Sequence, residues 1–282
     1  MNTFSSVRHS PIAGTWYPSD PNVLRNEIGS YIDQAAPPPL PGKVMGLIVP
    51  HAGYFYSGKT AGYAYRCVMG EAFDTCAIFS PLHDYMPHDL LTSAHQAYAT
   101  PLGQVPVDTY LVDECSAKIE ESTGVLLQHI ANDHEHSLEI QLPFLQYALS
   151  SPFTLLPVMV RTEDPKLLKS AARCIATALE GRKVLCVGST DLSHFYSEEE
   201  AKEYDDIMLD RMHAFSPDEM LEAERYRMGF ACGVGAVSMM LWVTRFLGAT
   251  HVTLLDQSTS AAASGDTSRV VGYGALAVTR EG

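Results

Sequence analysis

Short apolar runs closed by turn residues recur along this chain between amphipathic stretches, and that alternation most constrains its fold. Such runs read as buried strands. Alternating with helical patterns, they predict an α/β fold with a mostly parallel central sheet covered by helices. Three of the runs end on titratable groups. The run at 45–50 (M-G-L-I-V-P) delivers His51, and 76–82 (C-A-I-F-S-P-L) delivers His83. The run at 183–189 (K-V-L-C-V-G-S) leads to Asp191 and His194 in T-D-L-S-H. Open α/β sheets bind ligands outside the carboxyl ends of their strands, so these deliveries predict a site at one sheet edge.

The rest of the pattern supports a single domain over 1–282. The Pro-rich stretch 37–41 lies between a first helix and the first strand, and no low-complexity linker or internal repeat divides the chain. Asp20–Pro21 opens a helix to about Gln34, Asp108 one to Glu121, and Asp164–Pro165 one to Leu179. Ser137 is expected to open a helix to Leu149, with Pro143 in its first turns or bending it. A strand is expected at 153–160, where Pro157 argues for an edge or a bulge. Ser197-x-x-Glu200 and Ser216-x-x-Glu219 both read as capping boxes. An apolar helix at 233–246 and strands at 252–256 and 270–279 close the pattern.

With 33 acidic against 19 basic residues, the formal net charge is −14. That disfavours a nucleic-acid groove or an anionic membrane surface, and no Lys/Arg cluster is visible along the chain. The acidic residues Glu198–Glu200, Asp205 and Asp206 read as a solvated helix end. The first residues lack the apolar core of a signal peptide, and no run approaches a membrane span. Six scattered cysteines without a C-x-x-C pair predict reduced thiols and a cytoplasmic protein. Cys67, Cys76, Cys174 and Cys186 fall in apolar patterns as buried thiols, whereas Cys115 lies in a more polar helix.

Pro50 biases Val49 towards extended backbone and so aims His51 out of the strand end. A lone half-buried histidine is more often a packing residue, but the repeat of the pattern at His83 favours a ligand role. Cys232, in G-F-A-C-G-V-G-A ahead of an apolar helix, is expected as a thiolate favoured by the helix dipole. Two imidazoles and a thiolate make a three-ligand metal site with open positions. His194 titrates naturally near neutrality and suits a general acid or base, with Asp191 orienting a ring or acting as a ligand. The cluster D-H-E-H-S-L-E at 133–139 reads as a loop of solvated charges or, through His136, as part of the site. Ser193 is rejected as a nucleophile because neighbouring residues on a strand or turn rarely face each other. His9, His88, His95, His129, His213 and His251 are background.

These motifs resemble the Memo family, related to the catalytic subunit of class III extradiol ring-cleaving dioxygenases. The matching elements are R-H-S-P-I-A-G-T-W-Y-P from Arg8, V-P-H-A-G-Y-F-Y-S-G from Val49 and S-P-L-H ending at His83. H-E-H-S-L-E-I-Q-L-P ending at Pro143, S-T-D-L-S-H ending at His194, A-C-G at Cys232 and S-G-D-T-S-R-V-V-G-Y-G-A ending at Ala275 complete the series. The resemblance implies an extradiol dioxygenase-like fold with His51, His83 and Cys232 as metal ligands, and with His136, Asp191 and His194 lining the same pocket. It implies a divalent metal, iron(II) first, with copper and zinc admitted by the thiolate that replaces the dioxygenase glutamate. The implied activity is oxidation of a small aromatic or related substrate with His194 as acid/base. A non-catalytic binding or signalling role and metal-assisted hydrolysis are the alternatives. The implied partners are the small-molecule substrate, an AMMECR-like protein and a radical S-adenosylmethionine enzyme. Ser80 stands where the family pattern expects glycine.

Overall fold

In a computed structural model, which describes residues 5–281, the alternating runs become one large sheet, one small sheet and a set of helices packed against them. β1 (Val7–Arg8) and α1 (Pro21–Gln34) precede β2 (Lys43–Val49), α2 (Tyr54–Arg66) and β3 (Thr75–Pro81). Next come β4 (Leu90–Ser93), β5 (Ala97–Thr100), β6 (Gly103–Pro106), α3 (Thr109–Thr123) and β7 (Leu127–Ile130). A 3-10 turn at Glu139–Gln141 runs into α4 (Leu142–Ala148), followed by β8 (Thr154–Val160), α5 (Pro165–Leu179) and β9 (Val184–Ser189). The chain continues through β10 (His194–Tyr196), α6 (Glu198–His213), α7 (Pro217–Arg225), α8 (Val234–Phe246), β11 (His251–Thr259), α9 (Ala261–Ser264) and β12 (Val270–Arg280). Residues 1–4, read above for a signal peptide, lie outside the described residues.

The large sheet is mixed, which corrects the expectation of a mostly parallel one. Its order is β10-β12-β2-β9-β3-β8-β4-β7, with β11 also paired to β12. The centre, β2-β9-β3-β8, is parallel. On one side β12 runs antiparallel to β2, β10 and β11, and on the other β4 runs antiparallel to β8. A parallel return needs a crossover of about a dozen residues or more, and the short 260–269 connection brings β12 back antiparallel to β11 instead. Almost all of β12 is buried. Its continuous apolar run therefore looks like a parallel strand.

Pro157 lies inside the sheet rather than at its edge, because β8 has neighbours on both sides. The ring falls in a gap. β4 pairs with β8 only at Met159 and Val160, and Val107 bridges at Leu155, so no ladder bond is required from position 157 on that side. Its carbonyl accepts the Thr92 hydroxyl at 2.7 Å.

Capping explains most helix starts. Asp20, Asp108 and Asp164 each accept a backbone N–H of the first turn, and Ser197 and Glu200 form the expected capping box. Ser216 makes no side-chain cap. Its intended partner Glu219 instead pairs with Arg211 at 3.4 Å. Ser137 opens no helix either: its hydroxyl donates to the Pro81 carbonyl at 3.0 Å, and the turn begins after Leu138.

One contiguous buried cluster runs from Ile12 to Val278. α8 packs on β2, β3, β8 and β9, and α2 packs on β2, β11 and β12. Cys76, Cys115 and Cys186 are buried, whereas Cys67 and Cys174 are half-buried. Among the described residues no helix is long and apolar enough to cross a membrane.

Candidate metal-binding pocket

The parallel centre of the sheet brings the three strand ends together. Val49 pairs with Ser189, and β3 lies on the far side of β9, so the residues after β2, β9 and β3 emerge at one edge. A cavity of about 650 Å³ opens there, lined by His51, His83, His136, Asp191 and His194, with Trp16, Tyr273 and Phe195 among its walls.

Donor nitrogens of His51, His83 and His136 all lie within 4.8 Å of one another. The rings of His83 and His136 stack at 4.7 Å between centroids, and each meets His51 edge-on at 5.3 Å. Hydrogen bonds at Nδ1 hold the rings of His51 and His83. His51 Nδ1 meets Ser189 Oγ at 3.1 Å, His83 Nδ1 meets Glu135 at 3.0 Å, and His136 Nδ1 lies 3.4 Å from the same carboxylate. Engaging Nδ1 leaves Nε2 to serve as a metal donor, and in His51 that nitrogen lies against Cys232 Sγ at 3.1 Å.

Cys232 stands beside this trio. Its Sγ is 3.1 Å from His51 Nε2, and it accepts the Asp191 backbone N–H at 3.3 Å. Gly233 lets this loop close on the end of β9, since a Cβ there would meet the Ser189 carbonyl at 2.4 Å. The residue as a whole is exposed, but the sulfur sits against protein. Loss of water around the sulfur and then the Asp191 charge push the thiol up. That is opposite to the thiolate expected from the helix dipole, because desolvation outweighs a dipole that acts from beyond Gly233.

Asp191 is buried and turned inward. Oδ1 accepts the backbone N–H groups of His51 at 2.7 Å and Ala52 at 3.2 Å. Burial pushes its carboxyl up to about 7 against those two bonds. It thus fixes the backbone that carries His51. His194 Nδ1 donates to the Leu192 carbonyl at 2.8 Å, which leaves Nε2 with its lone pair, and burial lowers its pKa. Phe195, next along, has φ 68°. A bulky residue rarely adopts that conformation. The β10–β12 register shifts there, and the ring projects to the rim under the Arg269 guanidinium.

Burial drives His51 well below its ordinary value and His136 down to about 4, so both are neutral donors at pH 7. His83 is raised, chiefly by its bond to Glu135. Burial opposes ionisation of Glu135, but bonds from His83 and from backbone N–H groups hold it far below the carboxylate range.

The 133–139 segment is not a solvated loop. Glu135 and Glu139 are buried, and Arg8 joins them. Arg8 donates to Asp133 at 2.8 Å, to Glu139 at 2.5 Å and to the Glu135 carbonyl at 2.7 Å. Tyr17 donates to Glu139 at 2.6 Å, and Ser10 does likewise. Trp16 lies 4.1 Å from the His136 ring. Sequence reasoning missed Arg8, Trp16, Glu135 and Glu139, although the first two lie in the R-H-S-P-I-A-G-T-W-Y-P stretch and the others flank His136. His95 is buried between the Ser5 carbonyl and the Asn132 N–H, a packing histidine.

Asp205 is likewise buried rather than solvated. Oδ1 accepts the Ser193 N–H at 2.9 Å, which anchors the loop before His194. Oδ2 has no hydrogen-bond partner among the described residues. It presses on Gly272, where a Cβ would meet it at 1.8 Å. Burial raises this carboxyl from 3.8 to about 6. The unfolded chain therefore releases the proton first, and between those values rising pH destabilises the fold. Asp205→Asn is expected to remove that loss. Its stability relative to the native chain should improve by on the order of 2 kcal/mol between pH 4 and pH 8. Urea unfolding at both pH values checks this; a difference that does not change with pH refutes it.

The fold and site together define an α/β protein with a histidine-rich pocket suited to a metal. A family model described as a Memo-like protein matches residues 8–277, and the chain belongs to that family. A MEMO1 family protein of Nitrosopumilus maritimus is 30% identical over 274 residues, covering 96% of this chain and 98% of that one. Relatives from Methanosarcina mazei and Methanopyrus kandleri, also described as MEMO1 family proteins, are each 32% identical, covering 96% and 97% of this chain and 99% of theirs.

Proposed function

We propose that this pocket binds iron(II) and oxidises a small aromatic compound in the manner of the extradiol dioxygenases. The supporting observation is the group of three convergent imidazoles, with Nδ1 of His51 and His83 already hydrogen-bonded. In this reading His51, His83 and His136 hold the metal, and Cys232, in contact with His51, adds a soft donor once its proton is displaced. Such a set suits iron and also admits copper(I) or zinc. The bound metal would supply redox chemistry and a site for oxygen.

The chain's own residues would do the rest. Trp16, Tyr273 and Phe195 offer apolar walls to a planar ring and exclude water from it. His194 Nε2, neutral and fixed by Leu192, accepts a proton from a phenolic hydroxyl. Asp191 acts as a positioning residue by holding the His51 backbone.

A second reading, a pocket that binds without turnover, is favoured by the rim. Tyr56 and Phe195 are exposed there at 45% and 62%, and Phe55, 66% exposed, lies 5.0 Å from the Tyr56 ring, more aromatic surface than a small substrate requires. Oxygen uptake by anaerobically iron-loaded protein with a panel of catechols separates the two. Turnover is expected, falling about 100-fold or more in His194→Ala while bound iron is retained. Stoichiometric iron with no oxygen uptake on any substrate would establish the binding role instead.

A further inference from the structure

The opposite end of the same strands carries a second cavity, of about 270 Å³, roughly 20 Å along β2 from the histidines. Lys43, Arg182, Lys183 and Arg280 line it, with Phe73 and Leu247 among the apolar residues of its wall, and its lining includes no carboxylate. No Lys/Arg cluster is visible along the sequence; the sheet assembles one from distant segments. Lys43 stands directly opposite Arg280 across β2 and β12. The parallel register of β2 with β9, Gly46 beside Cys186, carries Lys183 to the same level.

This placement is unfavourable for a bare fold, because like charges directly opposite on paired strands repel. Neutralisation from within the protein is partial. Arg182 pairs with Asp108 at 3.1 Å. Asp74 accepts the Lys183 backbone N–H through Oδ2 at 3.3 Å but forms no ion pair among the described residues, and Glu281 faces His251 at 3.6 Å. Among the described residues Lys43, Lys183 and Arg280 have no ion-pair partner. Nor is the arrangement slack, since Gly42 packs so closely on the Arg280 carbonyl that a Cβ would meet it at 2.2 Å.

We propose that this cavity binds a small polyvalent anion of the phosphate ester or diphosphate class. Several cations converging on a concave site recognise compact phosphoryl oxygens. An extended polyanion such as RNA would also meet the remaining surface of a chain whose net charge is −14. The apolar wall accommodates the body of a metabolite whose phosphoryl head meets the cations.

The test is calorimetric titration of the full chain with pyrophosphate, without added divalent metal, alongside a thermal melt. Saturable binding and a raised melting temperature are expected. Lys183→Gln should weaken binding about tenfold, and the Lys43→Gln/Arg280→Gln double variant about 100-fold. Without anion that double variant should melt no lower than the native chain, since a repulsion is relieved. Lys169→Gln, on α5 away from the cavity, and His83→Ala, in the metal pocket, should bind pyrophosphate normally. Absence of saturable binding, equal affinity in the double variant, or loss of binding in His83→Ala would each overturn the assignment. Capture of a single-stranded oligonucleotide but not pyrophosphate would overturn it in favour of a nucleic-acid surface.

Discussion

Arg8→Ala is expected to destabilise this protein by about 3–5 kcal/mol, the range for removing one partner from a buried ionic network. Arg8 is 3% exposed, and its guanidinium lies 5.0 Å from the centre of the Tyr98 ring. It is the cation shared by Asp133 and Glu139. Without it, the wholly buried Glu139 keeps, among the described residues, only Tyr17 and Ser10 as hydrogen-bond donors, and a carboxylate left without its counter-charge is costly to bury. Arg8→Lys restores a charge but not the planar fork that reaches Asp133, Glu139 and the Glu135 carbonyl together, so partial recovery is expected. The same residues tether the segment that carries Glu135 and His136, so metal affinity should fall along with stability. Urea unfolding provides the measurement, and a loss below about 1 kcal/mol would show that the network contributes little.

The second large effect concerns the metal. His51→Ala and His83→Ala should each reduce iron affinity by more than about 100-fold, and Glu135→Gln by about 10–100-fold through the two rings that it steers. Cys232→Ser and His136→Ala ask which donor matters more: in the proposed set both lose affinity, whereas His194→Ala does not. Competition with a chromophoric chelator measures each value. Native affinity in Glu135→Gln would mean that its contacts with His83 and His136 do not prepare those rings. Native affinity in His136→Ala would remove it from the donor set.

Much of the site was legible because strand ends are legible. An apolar run, a proline or small turn residue and then an imidazole specify both a strand and what leaves it, and β2, β3 and β9 end within a residue or two of the expected points. The same logic placed Asp191 and His194 at this edge, where both line the cavity. The acids were not. Glu135, Glu139 and Asp205 have the sequence context of solvated charge, and nothing local distinguishes a carboxylate that will meet Arg8, more than a hundred positions away, from one that meets water. The direction of β12 was hidden for a related reason: a strand buried on both faces loses the alternation that marks an antiparallel neighbour.

By itself the sequence determined the central strands, most of the helices, the residues delivered to the sheet edge and membership of the Memo-like family, since these depend on local periodicity, capping and turn chemistry or on motifs in order; the short strands β1, β4 to β7 and β10 carry too little pattern of their own to be read this way. Tertiary structure alone decided which charges are buried, that His136 joins His51 and His83, and that Lys43, Lys183 and Arg280 share one cavity. Those outcomes depend on strand order, register and loop placement, which bring residues separated by dozens to more than two hundred positions side by side. Coulomb and desolvation energies act on that spatial distance, not on distance along the chain.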